Sequence, residues 1–153
     1  MCLLQTSKMA LSTHQIGGEV ISDFAWQLTQ TGALTFVSGG FKKPHRFVQL
    51  KQAFNGTFEQ ESKSSICEGR WLHSACSLEE NRKIILSGGM STKSRCNASV
   101  VSYDIKKDSW SPLPPLNTAR VSHAMCAVKG SLYVFCGIGK RHQELSSIEM
   151  LAP

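Results

Sequence analysis

Short apolar runs alternate with polar turn residues along the chain, most clearly between residues 70 and 116. Runs at 70–76, 84–87 and 100–104, and a fourth that begins at Trp110, are separated by polar or charged turns. Short runs of this kind, bounded by turn residues, are typical of β-strands, and helical periodicity is absent. The pattern predicts one up-and-down antiparallel sheet in this part of the chain.

The same pattern returns at a nearly constant spacing. The Arg-x-x-His sequence at 70–73 recurs 50 residues later at 120–123. The glycines that end the apolar strands, Gly40, Gly89 and Gly137, are separated by 49 and 48 residues. A period near 50 with four strands per unit is typical of the blades of a β-propeller.

The second unit carries an ordered set of signature residues. An apolar strand ends in Gly88-Gly89, Tyr103 and Trp110 follow, and a proline-rich link leads into Arg120-x-x-His123. This arrangement resembles the kelch family. The resemblance implies an all-β fold of about three four-stranded antiparallel kelch-type blades, which would form an incomplete β-propeller. The structural repeat residues it implies are Gly39, Gly40, Arg70, His73, Gly88, Gly89, Tyr103, Trp110, Arg120, His123 and Gly137.

The repeat divides the chain into four segments. They are an irregular lead or the end of a preceding blade at 1–18, a degenerate blade at 19–66, a full kelch blade at 67–118 and a truncated blade at 119–153. In the degenerate blade we expect a strand at 20–28, a turn at Thr31-Gly32 and a hairpin at Asn55-Gly56. Three units fall short of the 4–8 blades of closed propellers. The chain is therefore interpreted as a fragment, or as a unit whose open sheet edges promote self-association.

Each signature residue has an expected structural role. The paired glycines allow a positive φ or a close approach of the backbone at the strand end. Cys136 replaces the first glycine in the third unit, which suggests that only the second glycine is strictly required. Tyr103 and Trp110 are expected to fill the space between adjacent sheets. The arginines are expected to pair with carboxylates or loop carbonyls of the neighbouring blade.

The remaining chemistry of the sequence favours a binding protein over an enzyme. No phosphate-binding loop, nucleophile elbow or pair of catalytic carboxylates is present, so no catalytic residue is predicted. His73 and Cys76 would face opposite sides of a strand, which argues against a shared metal, and no cofactor is predicted. Six cysteines without a CxxC pattern, and no run long enough to span a membrane, indicate a cytoplasmic protein.

The net charge of +6 is concentrated in one set of loops. The three loops that follow the glycine-ended strands contain seven of the 17 lysines and arginines, and 41–46, 90–97 and 138–143 contain no Asp or Glu. These residues, the predicted partner-binding set, are Lys42, Lys43, Arg46, Lys93, Arg95, Lys140 and Arg141.

In kelch-like proteins these loops commonly form the face that binds partners. The resemblance therefore implies a protein-interaction module, in the manner of a scaffold or substrate adaptor, whose partner is an acidic protein or peptide surface. The same basic face would also suit nucleic acid, but the loops carry a single aromatic residue, Phe41, for base stacking, which ranks that alternative lower. A fragment of a propeller enzyme is the second alternative.

Overall fold

The computed structural model describes residues 27–31, 34–52, 58–78 and 82–151 as three antiparallel sheets. The first sheet contains β1 (Gln27–Thr31), β2 (Leu34–Ser38), β3 (Phe47–Gln52) and β4 (Phe58–Ser62). The second contains β5 (Ser74–Leu78), β6 (Lys83–Ser87), β7 (Val100–Asp104) and β8 (Ser109–Leu113). The third contains β9 (Ala124–Val128), β10 (Ser131–Phe135) and β11 (Ile148–Leu151). The only helical element in the described residues is a 3₁₀ turn at Lys140–His142, so the all-β prediction is confirmed.

Each sheet is an up-and-down meander, with every strand paired to its neighbour in sequence. In the second sheet, Ile84, Ile85 and Leu86 of β6 are all completely buried. A strand that is buried on both faces has a continuous apolar sequence rather than an alternating one. The central strand is therefore covered on both sides.

The covering is supplied by the neighbouring sheets, whose first strands β1, β5 and β9 lie side by side. Between the first and second sheets the buried residues form a cluster of aromatic and aliphatic side chains. Its members are Phe36, Phe47, Ile66, Ala75, Ile84, Leu86 and Tyr103, with Trp110 packed against it. Between the second and third sheets the cluster is built on Ile85, Val100 and Leu132.

One detail of the first sheet differs from expectation. β1 runs from Gln27 through Thr31, so Thr31 belongs to the strand rather than to the turn that was predicted at 31–32. The third sheet has three strands within the described residues, with β11 at its outer edge. The predicted lead at 1–18 and the predicted Asn55-Gly56 hairpin lie outside the described residues.

The first glycine of each pair is required by the following sheet. Gly88 has φ of 57°, and a Cβ added to it would lie 2.5 Å from the Arg120 carbonyl oxygen and 2.7 Å from the His123 ring. Gly39 has the same surroundings beside Arg70 and His73. The expectation that only the second glycine is strictly required is therefore wrong wherever another sheet follows.

A buried serine–histidine hydrogen bond joins each pair of adjacent sheets. His73 Nε2 lies 2.8 Å from Ser38 Oγ, and His123 Nε2 lies 2.7 Å from Ser87 Oγ. Burial, with the charge of Arg70 as a smaller contribution, lowers the pKa of His73 to about 3. Burial likewise lowers the pKa of His123 to about 4. Both histidines are therefore neutral at neutral pH, and their shared position marks the junction between sheets.

Candidate partner-binding site

Three loops, each between the second and third strands of its sheet, form the candidate site. We call them loop 1 (39–46), loop 2 (88–99) and loop 3 (136–147). The sheets have the same strand order and are joined by equivalent hydrogen bonds, so these loops emerge at the same end of the molecule. Their common position makes them candidates for a shared binding surface.

The buried arginines close the bases of loops 2 and 3. Arg70 Nη1 donates to the carbonyl oxygens of Gly88 at 3.2 Å and Ser99 at 3.3 Å, the two ends of loop 2. Arg120 Nη1 donates to the carbonyls of Cys136 at 2.7 Å and Ser147 at 3.4 Å, the two ends of loop 3. Each guanidinium thus binds carbonyls of its own sheet, not those of the neighbouring blade as expected.

The contact with the neighbouring sheet is made by the arginine backbone. Gly40 N–H donates to the Arg70 carbonyl at 3.2 Å, and Gly89 N–H donates to the Arg120 carbonyl at 2.9 Å. One residue therefore fixes the base of its own loop with its side chain and fixes the preceding loop with its main chain. This double use gives neighbouring loops a defined relative position.

Carboxylates complete the two loop bases. Glu149 Oε1 lies 2.5 Å from Arg120 Nη2, and the Glu149 carboxylate also accepts the Asn117 and Thr118 N–H groups. Glu68 Oε2 accepts a hydrogen bond from Ser99 Oγ at 3.1 Å. Burial acts to raise the pKa of Glu68, but these hydrogen bonds and the nearby guanidinium keep that pKa below its usual value. Both acids thus bind groups of the scaffold at the bases of loops 2 and 3.

A pocket of about 580 Å³ opens between loops 2 and 3. The exposed basic residues around it are Arg95, Lys140, Arg141 and His142, and the apolar residues that line it are Leu72, Met90, Val121 and Ile138. Ser94, Cys96, Ser122 and Gly139 complete the lining, which contains no acidic residue. The pocket therefore combines apolar walls with basic side chains at its rim.

The apolar walls are positioned by the backbone of the Arg-x-x-His segments. Leu72 and Ser122 adopt left-handed φ values of 53° and 51°, and Ser122 N–H donates to the Leu72 carbonyl at 2.9 Å. Val121 pairs with Ile138, and Trp71 pairs with Met90, through isolated antiparallel bridges. These contacts place the side chains of the Arg-x-x-His segments next to loops 2 and 3.

Sequence reasoning missed the apolar part of the site. A usable signal was present, because the residue after each strand-ending glycine is large and apolar where a polar loop residue is usual. These residues are Phe41, Met90 and Ile138. Phe41 is 51% exposed, and its ring meets the Trp71 ring edge-on at a centroid distance of 5.4 Å. Phe41, Trp71 and Met90 therefore extend the apolar surface from the pocket towards loop 1.

The seven predicted partner-binding residues have different surroundings. Arg95, Lys140 and Arg141 line the pocket, and Lys93 is exposed in the same loop as Arg95. Lys42 and Lys43 are exposed in loop 1, beside Phe41 and outside the pocket lining.

Arg46 differs in its surroundings from the other six residues of the set. Its Nε and Nη2 atoms are buried, although the residue as a whole is half-buried. Arg46 occupies the position held by Ser99 and Ser147 in the other loops. Its carbonyl accepts a hydrogen bond from the Gly39 N–H, just as the Ser99 and Ser147 carbonyls accept hydrogen bonds from the Gly88 and Cys136 N–H groups. The prediction considered the charge of Arg46 and did not consider its position directly before β3.

Among the residues that the structure describes, no group of three His, Cys, Asp or Glu side chains is placed to hold a metal ion. Within the same ranges, no helix has the length and apolar character needed to cross a membrane.

Comparison with known proteins identifies the motif in the middle of the chain. Residues 73–117 match the family model of the kelch motif, which confirms the resemblance inferred from the glycine, tyrosine and tryptophan spacing. The matched stretch covers the second sheet and its link to the third.

Two curated relatives share part of the chain. The influenza virus NS1A-binding protein homolog B of Danio rerio is 37% identical over 64 residues, which is 42% of this chain and 10% of that protein. The influenza virus NS1A-binding protein homolog of Mus musculus is 37% identical over 68 residues, 44% of this chain and 10% of that protein. The aligned stretches thus span about a tenth of the length of these relatives.

Proposed function

We propose that this set of sheets, with the kelch motif of residues 73–117 at its centre, is a non-enzymatic protein-interaction module for an acidic partner. The names of the two relatives describe proteins that bind another protein, which supports a role in protein interaction. The observation that supports an acidic partner is the pocket between loops 2 and 3. Its charged side chains are all basic, its walls are apolar, and its lining contains no acid.

The site has the anatomy of a protein interface. Such interfaces combine an apolar centre with a polar rim, and arginine is enriched among the residues that contribute most to affinity. Leu72, Met90 and Ile138 supply the apolar centre, while Arg95 and Arg141 supply forked donors suited to carboxylates. The best ligand is therefore a peptide segment in which acidic residues flank an apolar side chain.

Charge reversal in loop 2 tests the proposal. The Lys93→Glu and Arg95→Glu double variant should bind a synthetic peptide of alternating glutamate and leucine at least about tenfold more weakly than the parent chain, because two favourable charge contacts become repulsive. Its free energy of unfolding should change by no more than about 0.5 kcal/mol, since both side chains are exposed. Titration of the labelled peptide and denaturant unfolding measure the two quantities.

The chain contains a matched control at the other end of the second sheet. Lys106 and Lys107 are exposed in the turn between β7 and β8, opposite loop 2. Reversing both gives the same change in net charge and should leave peptide binding within about twofold of the parent. Equal losses in the two double variants would show that net charge, and not the site, determines binding.

The nucleic-acid alternative is tested by the same variants. The exposed Phe41 and the half-buried Trp71 form an aromatic pair near Lys42 and Lys43, and base stacking usually involves successive aromatic side chains. We therefore expect weaker binding to single-stranded oligothymidylate than to the peptide at 0.15 M salt. Tighter binding to the oligonucleotide that is lost in Phe41→Ala would favour nucleic acid instead. The scaffold or adaptor role and the cytoplasmic setting stay predictions.

A further inference from the structure

One face of the third sheet is apolar and exposed; we call it the open face. Residues directly opposite each other in an antiparallel sheet share a face, and Tyr133 pairs with both Cys126 and Met150. The open face consists of Ala124, Cys126, Val128, Ser131, Tyr133, Phe135, Ile148 and Met150. Val128, Ile148 and Met150 are 50%, 62% and 60% exposed. It contains no charged residue, which is unusual for a solvated sheet face.

The equivalent faces of the other two sheets are covered. Cys76, Ile85 and Val100 of the second sheet correspond to Cys126, Tyr133 and Ile148, and they are packed against the third sheet. In the first sheet, Phe36 and Phe47 are packed against the second. The open face therefore has the composition of a surface that receives a further sheet.

Two residues prevent the open face from receiving a sheet of the same kind. Phe135 stands where Ser38 and Ser87 bind the histidine of the following sheet. Cys136 stands at the first-glycine position with φ of 54°, so its Cβ points where the next arginine carbonyl and histidine ring would lie. At Gly88 a Cβ would meet those groups at 2.5 and 2.7 Å. An Arg-x-x-His entrance cannot occupy this position without displacement of the backbone.

The chain itself contains a unit without that entrance. Residues 19–35, which precede the glycines of the first unit, include no arginine and no histidine. We propose that the open face is a docking surface for a propeller-type sheet of this kind, one that enters without Arg-x-x-His. Phe135 and Cys136 then act as a specificity device, because they exclude the sheets that the first two interfaces accept.

The test uses the full chain extended beyond Pro153 by one further unit. The first extended chain repeats residues 19–66, and the second repeats residues 67–118, which carry Arg70 and His73. The third joins the 67–118 extension to a chain with Phe135→Ser and Cys136→Gly. Docking is measured by the rate at which iodoacetamide alkylates Cys126, which lies on the open face, with mass spectrometry of the Cys126 peptide.

The 19–66 extension should slow alkylation of Cys126 at least about tenfold relative to the unextended chain, as expected for a thiol accessible only after opening of an interface. The 67–118 extension should slow it less than about twofold on the parent face and at least about tenfold on the Phe135→Ser, Cys136→Gly face. The third chain also shows that the 67–118 extension folds in this setting.

Three outcomes would overturn the proposal. The first is equal protection of Cys126 by the 67–118 extension with and without Phe135→Ser and Cys136→Gly. The second is failure of the 19–66 extension to protect Cys126. The third is concentration-dependent protection in the unextended chain that Val128→Lys removes, which would identify a second copy of this chain as the occupant.

Discussion

The two junctions between sheets share their polar contacts and differ in their apolar filling. Both contain a serine–histidine hydrogen bond, a glycine against an arginine carbonyl and a completely buried arginine. The first junction contains packed aromatic rings, with Phe47 at 4.5 Å from Tyr103 and 4.8 Å from Trp110 between centroids, beside aliphatic side chains. The second is filled by aliphatic side chains around Ile85, Val100 and Leu132.

The difference shows which part of the repeat is geometrically strict. The polar contacts depend on one carbonyl, one ring and one glycine at fixed positions, so they recur at an almost constant spacing. The apolar filling needs only a suitable total volume, and such cores tolerate exchange of their members. The signature of the repeat is therefore the set of contacts that place one sheet on the next.

The largest loss of stability is expected from a substitution that removes a ring from the first junction. Trp110→Ala should lower the free energy of unfolding by about 3–5 kcal/mol, because the ring packs on Phe47 and Tyr103 and its Nε1–H donates to the Ser64 carbonyl at 2.8 Å. Denaturant titration measures the change. Trp71 is the control, since it is half-buried and its ring contacts Phe41. Trp71→Ala should cost no more than about 1.5 kcal/mol, and an equal loss in both variants would contradict the interface role of Trp110.

The order of strands and the position of the second unit could be predicted from sequence, because alternation and glycine spacing are local signals. Tyr103 and Trp110 were recognisable for the same reason. Leu72 and Ser122 were not, since their place in the pocket depends on a left-handed backbone that neither residue type suggests. The burial of two guanidinium nitrogens of Arg46 also escaped prediction, because a loop cation and a cation at the start of a strand have the same appearance in a sequence.

The next largest loss of stability is expected at the first-glycine position, which can be compared between the second and third sheets. Gly88→Ala should cost about 2–4 kcal/mol, because its Cβ would lie 2.5 Å from the Arg120 carbonyl in a left-handed conformation. Cys136→Gly, at the equivalent exposed position, should change stability by no more than about 1 kcal/mol. Both are measured by denaturant titration. Equal effects at the two positions would mean that backbone conformation alone, and not the following sheet, requires glycine.

The smallest expected effect is the change in the free energy of unfolding per unit of pH, which depends on the buried histidines that both junctions share. The pKa values of His73 and His123, about 3 and about 4, lie below the ordinary value of 6.5. The unfolded chain therefore binds more protons than the folded chain as the pH falls below 6.5. The stability from each neutral histidine is complete above pH 6.5 and is lost towards pH 3–4.

Between pH 6 and pH 5 each histidine should lower the free energy of unfolding by up to about 1.4 kcal/mol per pH unit. Denaturant titrations at several pH values give the slope, and this window lies above the range in which Glu68 and Asp108, whose pKa values are lowered, take up protons. His73→Gln and His123→Gln should each remove about half of the slope, because one junction loses its titrating group while the other keeps it. An unchanged slope in both variants would place the proton uptake elsewhere, and a loss in one alone would show that the two junctions differ in their polar contacts as well as in their filling.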